Sequence, residues 1–214
     1  MAKQLYLIDG HAHIFRAFYA VEGLSAPDGR PTGAAFGFTR MLLDVLKRQK
    51  PDYIAAAFDA PGKTFRHERF ADYKATRKPT PPELHQQVHI IHEIVQAYGI
   101  PVFQLAGFEA DDVLGTLAAQ AVAESVQVVL VTGDKDCGQL LGDHVRMYDA
   151  QKDRFLTAAD FEKEKGVPPM RLTDLMGLWG DSSDNIPGVP GIGAKIGAQL
   201  IGKYGSLEAL LDHA

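Results

Sequence analysis

The sequence predicts an α/β protein, with a Rossmann-like and mostly parallel sheet flanked by helices. Short apolar runs bounded by turn residues recur between residues 5 and 131, and stretches with helical periodicity separate them. Strands that alternate with helices form parallel sheets, and short continuous apolar runs fit strands that are covered on both faces. The 214 residues suffice for one large domain, or for one domain with a small appendage.

The first part of the chain is predicted to contain two strands with a helix between them. The apolar run at 5–8 ends at Asp9, which is typical of a strand followed by a turn. Apolar residues recur at helical spacing over 33–50, and the proline that follows closes this helix. A continuous apolar run over 53–58 predicts the second strand, which ends at Asp59.

The same alternation continues to residue 131. A helix is predicted over 82–98, because a proline lies in its first turn and a glycine follows its end. A weaker strand is expected at 102–105. A helix over 109–124 carries acids in its first turn, where they interact favourably with the helix dipole. The run at 126–131 predicts a buried strand.

The sequence changes character past about residue 167. Two adjacent prolines open a helical stretch that runs to Leu178, and a segment rich in glycine and proline follows. Helices are then expected over 194–204 and from Ser206 onward. We therefore predict an α/β domain at 1–166 and a small helical subdomain at 167–214.

Nine acidic residues stand out because of their positions. Three of them follow predicted strand ends, and sites in parallel sheets form beyond the carboxyl ends of the strands. The others lie in short clusters at the start of a helix, after a strand, and before the segment rich in glycine and proline. The nine residues are Asp9, Asp59, Glu109, Asp111, Asp112, Asp134, Asp136, Asp181 and Asp184.

Such a set of carboxylates suits hydrolysis assisted by Mg²⁺ or Mn²⁺, because both ions prefer oxygen ligands. Two ions about 4 Å apart can activate a water and stabilise the attacking and leaving oxygens of a phosphodiester. Without cations the carboxylates repel one another, so we expect raised pKa values in the metal-free protein and stabilisation of the fold by metal. Each acid alone fits a helix cap or a solvated surface residue better than a metal ligand; the nine together favour a metal site.

Residues 62–79 are basic and aromatic, with a local charge of +4 and three interleaved rings. Cations can follow phosphates while rings stack on bases, so the segment suits single-stranded nucleic acid. A solvated surface helix with inward aromatics explains the segment about equally well. Its basic residues are Lys63, Arg66, Arg69, Lys74, Arg77 and Lys78.

The segment 185–195 is predicted to be the connection of a helix-hairpin-helix, a motif that binds duplex backbone without reading sequence. Its glycines leave backbone N–H groups free at the start of the following helix, which is a favourable place for a phosphate. An ordinary tight connection between helices is the alternative. The candidate DNA-binding residues are Gly188, Gly191, Gly193 and Lys195.

The composition excludes several classes of protein. Ordinary proportions of apolar and charged residues argue against disorder, collagen and coiled coil. No apolar run approaches the roughly 20 residues of a membrane helix, and we expect no secretory signal. The single Cys137 cannot form an internal disulfide and favours a reducing compartment. Phosphate-loop, dinucleotide and zinc motifs are also absent from the sequence.

The formal net charge of −5 argues at first against a partner made of nucleic acid. However, without the nine candidate ligands the remaining 18 acids face 22 basic residues, which leaves +4. The acidity is therefore predicted to belong to one metal-binding rim.

Seven segments of the chain resemble motifs of a known family, and they occur in the family's order. The family is the 5′ nuclease domain of bacterial DNA polymerase I, within the flap endonuclease superfamily. The segments are LIDG (7–10), FRAFYA (15–20), PTGAAFGF (31–38), AFDAPGKTFRHERFADYKATR (57–77), EADDVLGTLA (109–118), TGDKD (132–136) and GDSSDNIPGVPGIGAK (180–195).

This resemblance implies a PIN-like sheet with two metal sites and a helical arch at about 60–82. The first metal would be held by Asp9, Asp59, Glu109 and Asp111. Asp112 would lie just outside these ligands. The second metal would be held by Asp134, Asp136, Asp181 and Asp184.

The resemblance also implies roles for residues that contact DNA. Tyr73 would stack near the scissile nucleotide, whereas Lys74 and Arg77 would contact the scissile phosphate, with Lys74 as an electrophilic catalyst. Arg16 would steer phosphates. The backbone carbonyls of the hairpin could hold K⁺.

Two departures from the family accompany these expectations. The family has a hydroxyl residue after the aspartate of the first strand, whereas this chain has His11 and His13 there. Of three roles for these histidines, we rank packing first, contact with phosphate second, and partnership with the metal ligands third. The family also continues past the hairpin helices, so we expect the chain to be a fragment of a longer protein.

The function implied is that of a 5′→3′ exonuclease and structure-specific 5′-flap endonuclease in replication and repair. Its expected partners are DNA with a 5′ flap, nick or 5′ end, RNA-primed strands, and a polymerase domain in the same full-length chain. We expect a monomer in the bacterial cytoplasm, at the nucleoid. The alternatives are a non-catalytic module that binds DNA structures, or a truncated inactive nuclease. A related ribonuclease fits less well, since such enzymes generally lack both arch and hairpin.

Overall fold

A computed structural model describes residues 2–214. Its single sheet has six strands in the order β3-β2-β1-β4-β5-β6. The strands are β1 Gln4–Asp9, β2 Tyr53–Ala57, β3 Val102–Phe103, β4 Gln127–Val131, β5 Val145–Asp149 and β6 Arg154–Leu156. The α-helices are α1 Gly10–Ala20, α2 Gly33–Gln49, α3 Phe65–Arg69, α4 Pro82–Ala97, α5 Ala110–Ala123, α6 Ala158–Lys165, α7 Leu172–Trp179, α8 Ala194–Tyr204 and α9 Leu207–Leu211.

The sheet is parallel from β3 to β5, and only β6 runs antiparallel to its neighbour. The central strand β1 pairs with β2 on one side and β4 on the other. These are the three strands whose carboxyl ends lead into Asp9, Asp59 and Asp134. The prediction of a mostly parallel sheet flanked by helices is confirmed.

Helices cover both faces of the sheet, as the continuous apolar strands require. On one face α1, α2 and α4 pack against Tyr6 and Ile8, and the buried Phe38 and Leu42 come from α2. On the other face α5 packs its Leu114 against the sheet beside α6 and α7. Burial of these side chains, at about 1.5–3 kcal/mol each, holds the strand ends in a fixed frame.

Most of the predicted elements lie where the sequence placed them, but several were missed. The helices expected at 33–50, 82–98 and 109–124 each end within one residue of the observed ends, whereas the strand expected at 102–105 covers only Val102–Phe103. The sequence analysis overlooked α1, β5, β6 and α6. Helix α1 begins directly at the end of β1, with no loop residues to signal it, because the Asp9 side chain caps it.

The arch segment is less helical than predicted. Within 60–82 the only α-helix before Pro82 is the five-residue α3, and consecutive turns follow it. Lys74 takes a left-handed backbone conformation with φ of 57°, which ends any regular helix there. Its N–H donates instead to the carbonyl of Asp184, so the segment is shaped by contacts across the cleft.

The C-terminal helices α7, α8 and α9 pack around a small core of their own that includes Val167, Leu175 and Ile201. The hairpin between α7 and α8 passes close to the end of α7, where Gly188 lies against the backbone of Trp179. Among the helices of residues 2–214, none is both long and apolar enough to span a bilayer.

Candidate metal centre and nucleic-acid interface

The carboxyl ends of β1, β2 and β4 open into a cleft of about 610 Å³. Seven of the nine candidate acids line it, although they come from five separate parts of the chain. Asp112 and Asp181 are the two that do not. The seven lining acids are Asp9, Asp59, Glu109, Asp111, Asp134, Asp136 and Asp184.

Asp9 lies at the bottom of the cleft and is held from two sides. Its Oδ1 accepts a hydrogen bond from the Ala12 N–H at 3.0 Å, and its Oδ2 accepts one from the Thr132 hydroxyl at 2.7 Å. Burial raises the pKa of Asp9 above the ordinary value. Thr132 also accepts from the Asp134 N–H at 3.0 Å, so one hydroxyl connects two candidate ligands. The sequence analysis missed this role of Thr132.

The start of α5 brings the acids of the proposed first metal site together. Asp59 accepts a hydrogen bond from the Ala110 N–H at 2.7 Å, which ties the end of β2 to α5. Burial, together with the neighbouring Asp112 carboxylate, raises the pKa of Asp111 to about 6. A nearby cation favours the ionised form of such a carboxyl group, so a metal ion can displace the proton and bind the carboxylate.

Asp112 points away from the cleft and forms a bidentate ion pair with Arg66. The two guanidinium–carboxylate distances are 2.6 and 2.8 Å. Burial alone would raise the pKa of Asp112, but the Arg66 guanidinium lowers it below the ordinary value. Arg66 is therefore engaged with the protein at the base of the arch, and Asp112 lies outside the candidate ligands, where the resemblance placed it.

The proposed second metal site combines Asp136 with two acids from beyond α7. One carboxylate oxygen each of Asp136, Asp181 and Asp184 lie within 4.8 Å of one another. The Oδ1 of Asp136 is buried and has no hydrogen-bond partner within residues 2–214. Burial and the neighbouring Asp134 raise the pKa of Asp136 to about 6. Hard oxygen donors with an unpartnered buried atom fit a divalent ion such as Mg²⁺ or Mn²⁺.

The loop that carries Asp181 and Asp184 is a tight turn and not part of a helix. Asp181 and Ile186 exchange two backbone hydrogen bonds of 2.8 and 2.7 Å, and Asn185 between them has a φ of 59°. The two acids are three residues apart in the sequence, a spacing that in a helix would place them about one turn apart. The turn achieves a similar proximity because the paired backbone folds Asp184 back toward Asp136.

Three residues of the arch contact the candidate ligands directly. The Lys74 ammonium lies 2.7 Å from Glu109, and the Arg77 guanidinium lies 2.6 Å from Asp184. The Tyr73 hydroxyl lies within 3.0 Å of both of these carboxylates, although it has one hydrogen to donate. Tyr73 as a whole is only 5% exposed, so in this conformation its ring is not free to stack on a nucleotide.

The other basic residues of the arch segment differ in exposure and contacts. Lys78 lines the cleft together with Lys74 and Arg77. Lys63 and Arg69 are exposed, and the Arg69 guanidinium lies over the Phe65 ring at 5.7 Å. All three remain predicted contacts for DNA.

Arg16 does not line the cleft. Its guanidinium pairs with Asp149 at 3.2 Å and packs against Gly133, where an added Cβ would lie 1.7 Å from a guanidinium nitrogen. Its predicted role in steering phosphates remains a prediction.

The two unexpected histidines lie in different environments. His13 is buried, its Nε2 is 3.0 Å from the Val131 carbonyl, and burial lowers its pKa to about 4. That environment fits the packing role. His11 lines the cleft, with its Nε2 3.6 Å from Asp59, and packs on Phe15.

The hairpin glycines have distinct physical roles. At Gly188 an added Cβ would lie 2.3 Å from the backbone carbonyl of Trp179, so the close approach of two chain segments requires glycine. Gly191 has a φ of 83°, which other residues rarely adopt. Gly193 precedes α8 in an extended conformation, and Lys195 is exposed in the first turn of α8.

The expected rise in carboxylate pKa occurs at only some of the acids. It is confirmed for Asp9, Asp111 and Asp136, where burial dominates. It is wrong for Asp112 and Asp181, whose pKa values are lowered despite burial because Arg66 and Lys135, together with Ser183, hold them. Lys135 and Ser183 were also missed, although the motifs TGDKD and GDSSD contain them.

Comparison with known proteins covers nearly the whole described chain. Residues 4–166 match the family described as "5′-3′ exonuclease, N-terminal resolvase-like domain", and residues 167–214 match "5′-3′ exonuclease, C-terminal SAM fold". The 5′-3′ exonuclease of Aquifex aeolicus is 39% identical over 99% of this chain and 73% of its own length. DNA polymerase I of Chloroflexus aurantiacus is 46% identical over 97% of this chain.

The chain spans only 23% of the length of that polymerase. Among solved structures, the bacteriophage T5 D15 flap endonuclease, in a pseudo-enzyme-product complex with DNA and metal ions, has a TM-score of 0.82. It is 23% identical and covers 98% of this chain and 78% of its own, which shows that the fold is shared.

Proposed function

The chain belongs to the 5′–3′ exonuclease family, and on that premise we propose that it is a metal-dependent 5′→3′ exonuclease and 5′-flap endonuclease. The observation that carries the proposal is the cleft itself. Seven carboxylates meet three cations of one overhanging segment in about 610 Å³. Carboxylates can hold divalent ions and the cations can bind phosphate, so the cleft contains both the metal-binding and the phosphate-binding groups that a phosphodiester hydrolase needs.

Two groups of acids would hold the metals, and the oxygen donors fit Mg²⁺ or Mn²⁺. Asp9, Asp59, Glu109 and Asp111 form the first group, and Asp134, Asp136, Asp181 and Asp184 form the second. When bound, divalent ions supply an activated water and neutralise charge on the phosphate. The products would be a 5′-phosphate and a 3′-hydroxyl.

The residues of the arch would bind and orient the scissile phosphate. Lys74 and Arg77 now neutralise Glu109 and Asp184, and on metal binding these cations become available to the substrate. The Lys74 ammonium would then stabilise charge that develops on a phosphate oxygen, as preorganised donors do in other hydrolases. Stacking by Tyr73 requires that its ring leave the buried position it has here.

We propose DNA with a 5′ flap, nick or free 5′ end as substrate, including strands that begin with an RNA primer. The hairpin before α8 would bind the duplex backbone through its exposed N–H groups and Lys195, and its carbonyls could hold K⁺. The DNA and metal ions in the T5 D15 complex support this assignment. The acting protein would be a monomer at the nucleoid of a bacterial cytoplasm, with a polymerase domain in the full-length chain.

The decisive experiment is incubation with a labelled 5′-flap oligonucleotide and Mg²⁺, with EDTA and the D111N variant as controls. We expect cleavage near the junction that requires the ion and is lost in the variant. An RNA-tipped flap tests the primer substrate. DNA binding without cleavage by the folded protein would instead support the non-catalytic module, and cleavage that persists in EDTA would contradict the metal mechanism.

A further inference from the structure

Lys135 makes an ion pair inside the proposed metal centre that the mechanism above does not use. It lies between Asp134 and Asp136, in the loop that follows β4. Its Nζ is 3.0 Å from Oδ2 of Asp181. The lysine side chain is 55% exposed, whereas that of Asp181 is 2% exposed. An exposed cation therefore contacts a buried carboxylate.

The pair joins two parts of the chain that the sheet does not connect. Asp181 follows α7, and its other oxygen, Oδ1, accepts hydrogen bonds from the N–H and hydroxyl of Ser183. Both oxygens thus have donors, but only the Lys135 ammonium is positively charged. Lysine side chains are ordinarily charged at neutral pH, so this contact is an ion pair.

Positive charge is needed at this place when no ion is bound. Oxygens of Asp136, Asp181 and Asp184 approach within 4.8 Å of one another, and like charges at such distances repel strongly away from bulk water. Arg77 offsets Asp184 at 2.6 Å and Lys135 offsets Asp181, whereas Asp136 keeps a buried oxygen with no partner in the described chain.

We propose that Lys135 is a positioning residue that substitutes for the second divalent ion, holding Asp181 beside Asp136 in the metal-free protein and leaving that carboxylate when the ion binds. The proposal rests on the proposed function. Because the ammonium competes with the ion for the same oxygen, Lys135 keeps the second metal weakly bound and exchangeable. Its exposed, flexible stem allows the ammonium to move into solvent without disturbing the fold.

The test is Mn²⁺ binding by calorimetry to the whole chain and to K135M, which keeps the length of the side chain and removes its charge. Loss of one positive charge a few ångströms from a divalent ion is expected to tighten the weaker Mn²⁺ site by about tenfold or more. K135R keeps the positive charge and should bind Mn²⁺ with the affinity of the parent protein. K135Q keeps a hydrogen-bond donor for Asp181 without the charge, and should bind as tightly as K135M.

Lys152 provides a matched control because it is 73% exposed and pairs with Asp149, which is not a candidate ligand. K152M removes the same charge and should leave Mn²⁺ affinity within about twofold. The gain in K135M should also disappear in K135M/D136N, which lacks a ligand of that site. A purely structural role for Lys135 would lower thermal stability in EDTA without tightening Mn²⁺ binding.

Unchanged or weaker Mn²⁺ binding by folded K135M and K135Q would overturn the proposal, as would an equal gain in K152M. Flap cleavage by the parent protein is measured separately. If the parent cleaves and K135M binds Mn²⁺ no more tightly, only the role of Lys135 is wrong. If the parent binds no Mn²⁺, both the role of Lys135 and the proposed function are wrong.

Discussion

Replacement of Thr132 by valine tests how the protein keeps a buried carboxylate at the bottom of its cleft. Valine matches the volume of threonine, so the variant removes the hydroxyl without leaving a cavity. The lost hydrogen bond to Asp9, 2.7 Å long and buried, joins a neutral donor to a charged acceptor and is worth about 1.5–3 kcal/mol. The lost bond from the Asp134 N–H adds about 1 kcal/mol. At a pH where Asp9 is ionised, we expect the free energy of unfolding to fall by about 2.5–4 kcal/mol.

The pH dependence of this loss identifies its cause. Burial raises the pKa of folded Asp9 above its unfolded value, and removal of the Thr132 donor raises it further. The charge-dependent part of the loss is therefore full where Asp9 is ionised in both proteins. It disappears as pH falls through the pKa of folded Asp9, because a protonated carboxyl no longer needs the donor. About 1 kcal/mol, from the Asp134 N–H, should remain.

The assay is urea unfolding in EDTA across a range of pH wide enough to include both the ionised and the protonated form of Asp9. T132S keeps the hydroxyl and should stay within about 1 kcal/mol of the parent. T39V is a matched control, since the Thr39 hydroxyl donates to the uncharged Ala35 carbonyl and its loss should not vary with pH. A T132V loss that is constant with pH, or below about 1 kcal/mol at the pH where it is largest, would refute the reasoning.

Three further predictions concern catalysis, metal binding and the hairpin. K74A should slow single-turnover cleavage by about 10²–10³-fold while changing DNA affinity far less, and equal losses would reject an electrophilic role. Mn²⁺ affinity should fall as the pH drops through about 6, because Asp111 and Asp136, each with a pKa of about 6, then bind protons that the ion must displace. Calorimetry at one pH above 6 and one below it checks this prediction. An Mn²⁺ affinity that does not change with pH would contradict it. In thermal melts, G188A should lose about 3 kcal/mol of folding stability, because its added Cβ would clash with backbone. G191A should lose about 1 kcal/mol of folding stability, because Gly191 has a positive φ. Equal losses in the two variants would contradict this prediction.

The parallel sheet could be predicted because its strands are local patterns. Runs such as 126–131 are apolar on both faces because helices cover both faces of the sheet. This pattern is the same whatever the order of the strands in the sheet. The metal acids could be found for a related reason, since a carboxylate directly after such a run lies at the carboxyl edge of the sheet. Helix α1 escaped prediction because its start carries no loop and its cap is Asp9, the same residue that marks the end of β1.

The pairing of charges could not be predicted in the same way. Lys74 with Glu109 and Lys135 with Asp181 are 35 and 46 residues apart in the chain, and each cation has several acids at similar sequence distances. The shape of the arch depends equally on distant contacts, because the Lys74 N–H donates to the Asp184 carbonyl, which lies far away in the sequence.

The sequence by itself determined the class of sheet, the acids at its carboxyl edge, and the basic and glycine-rich segments that accompany them. These follow from periodicity and composition, which act over a few residues. The tertiary structure alone decided that Asp112 turns away to Arg66, that Tyr73 is buried between two carboxylates, and that Lys135 neutralises Asp181. The reason is that a charge is stabilised by whichever opposite charge the fold brings within a few ångströms, and that distance exists only once the chain has folded.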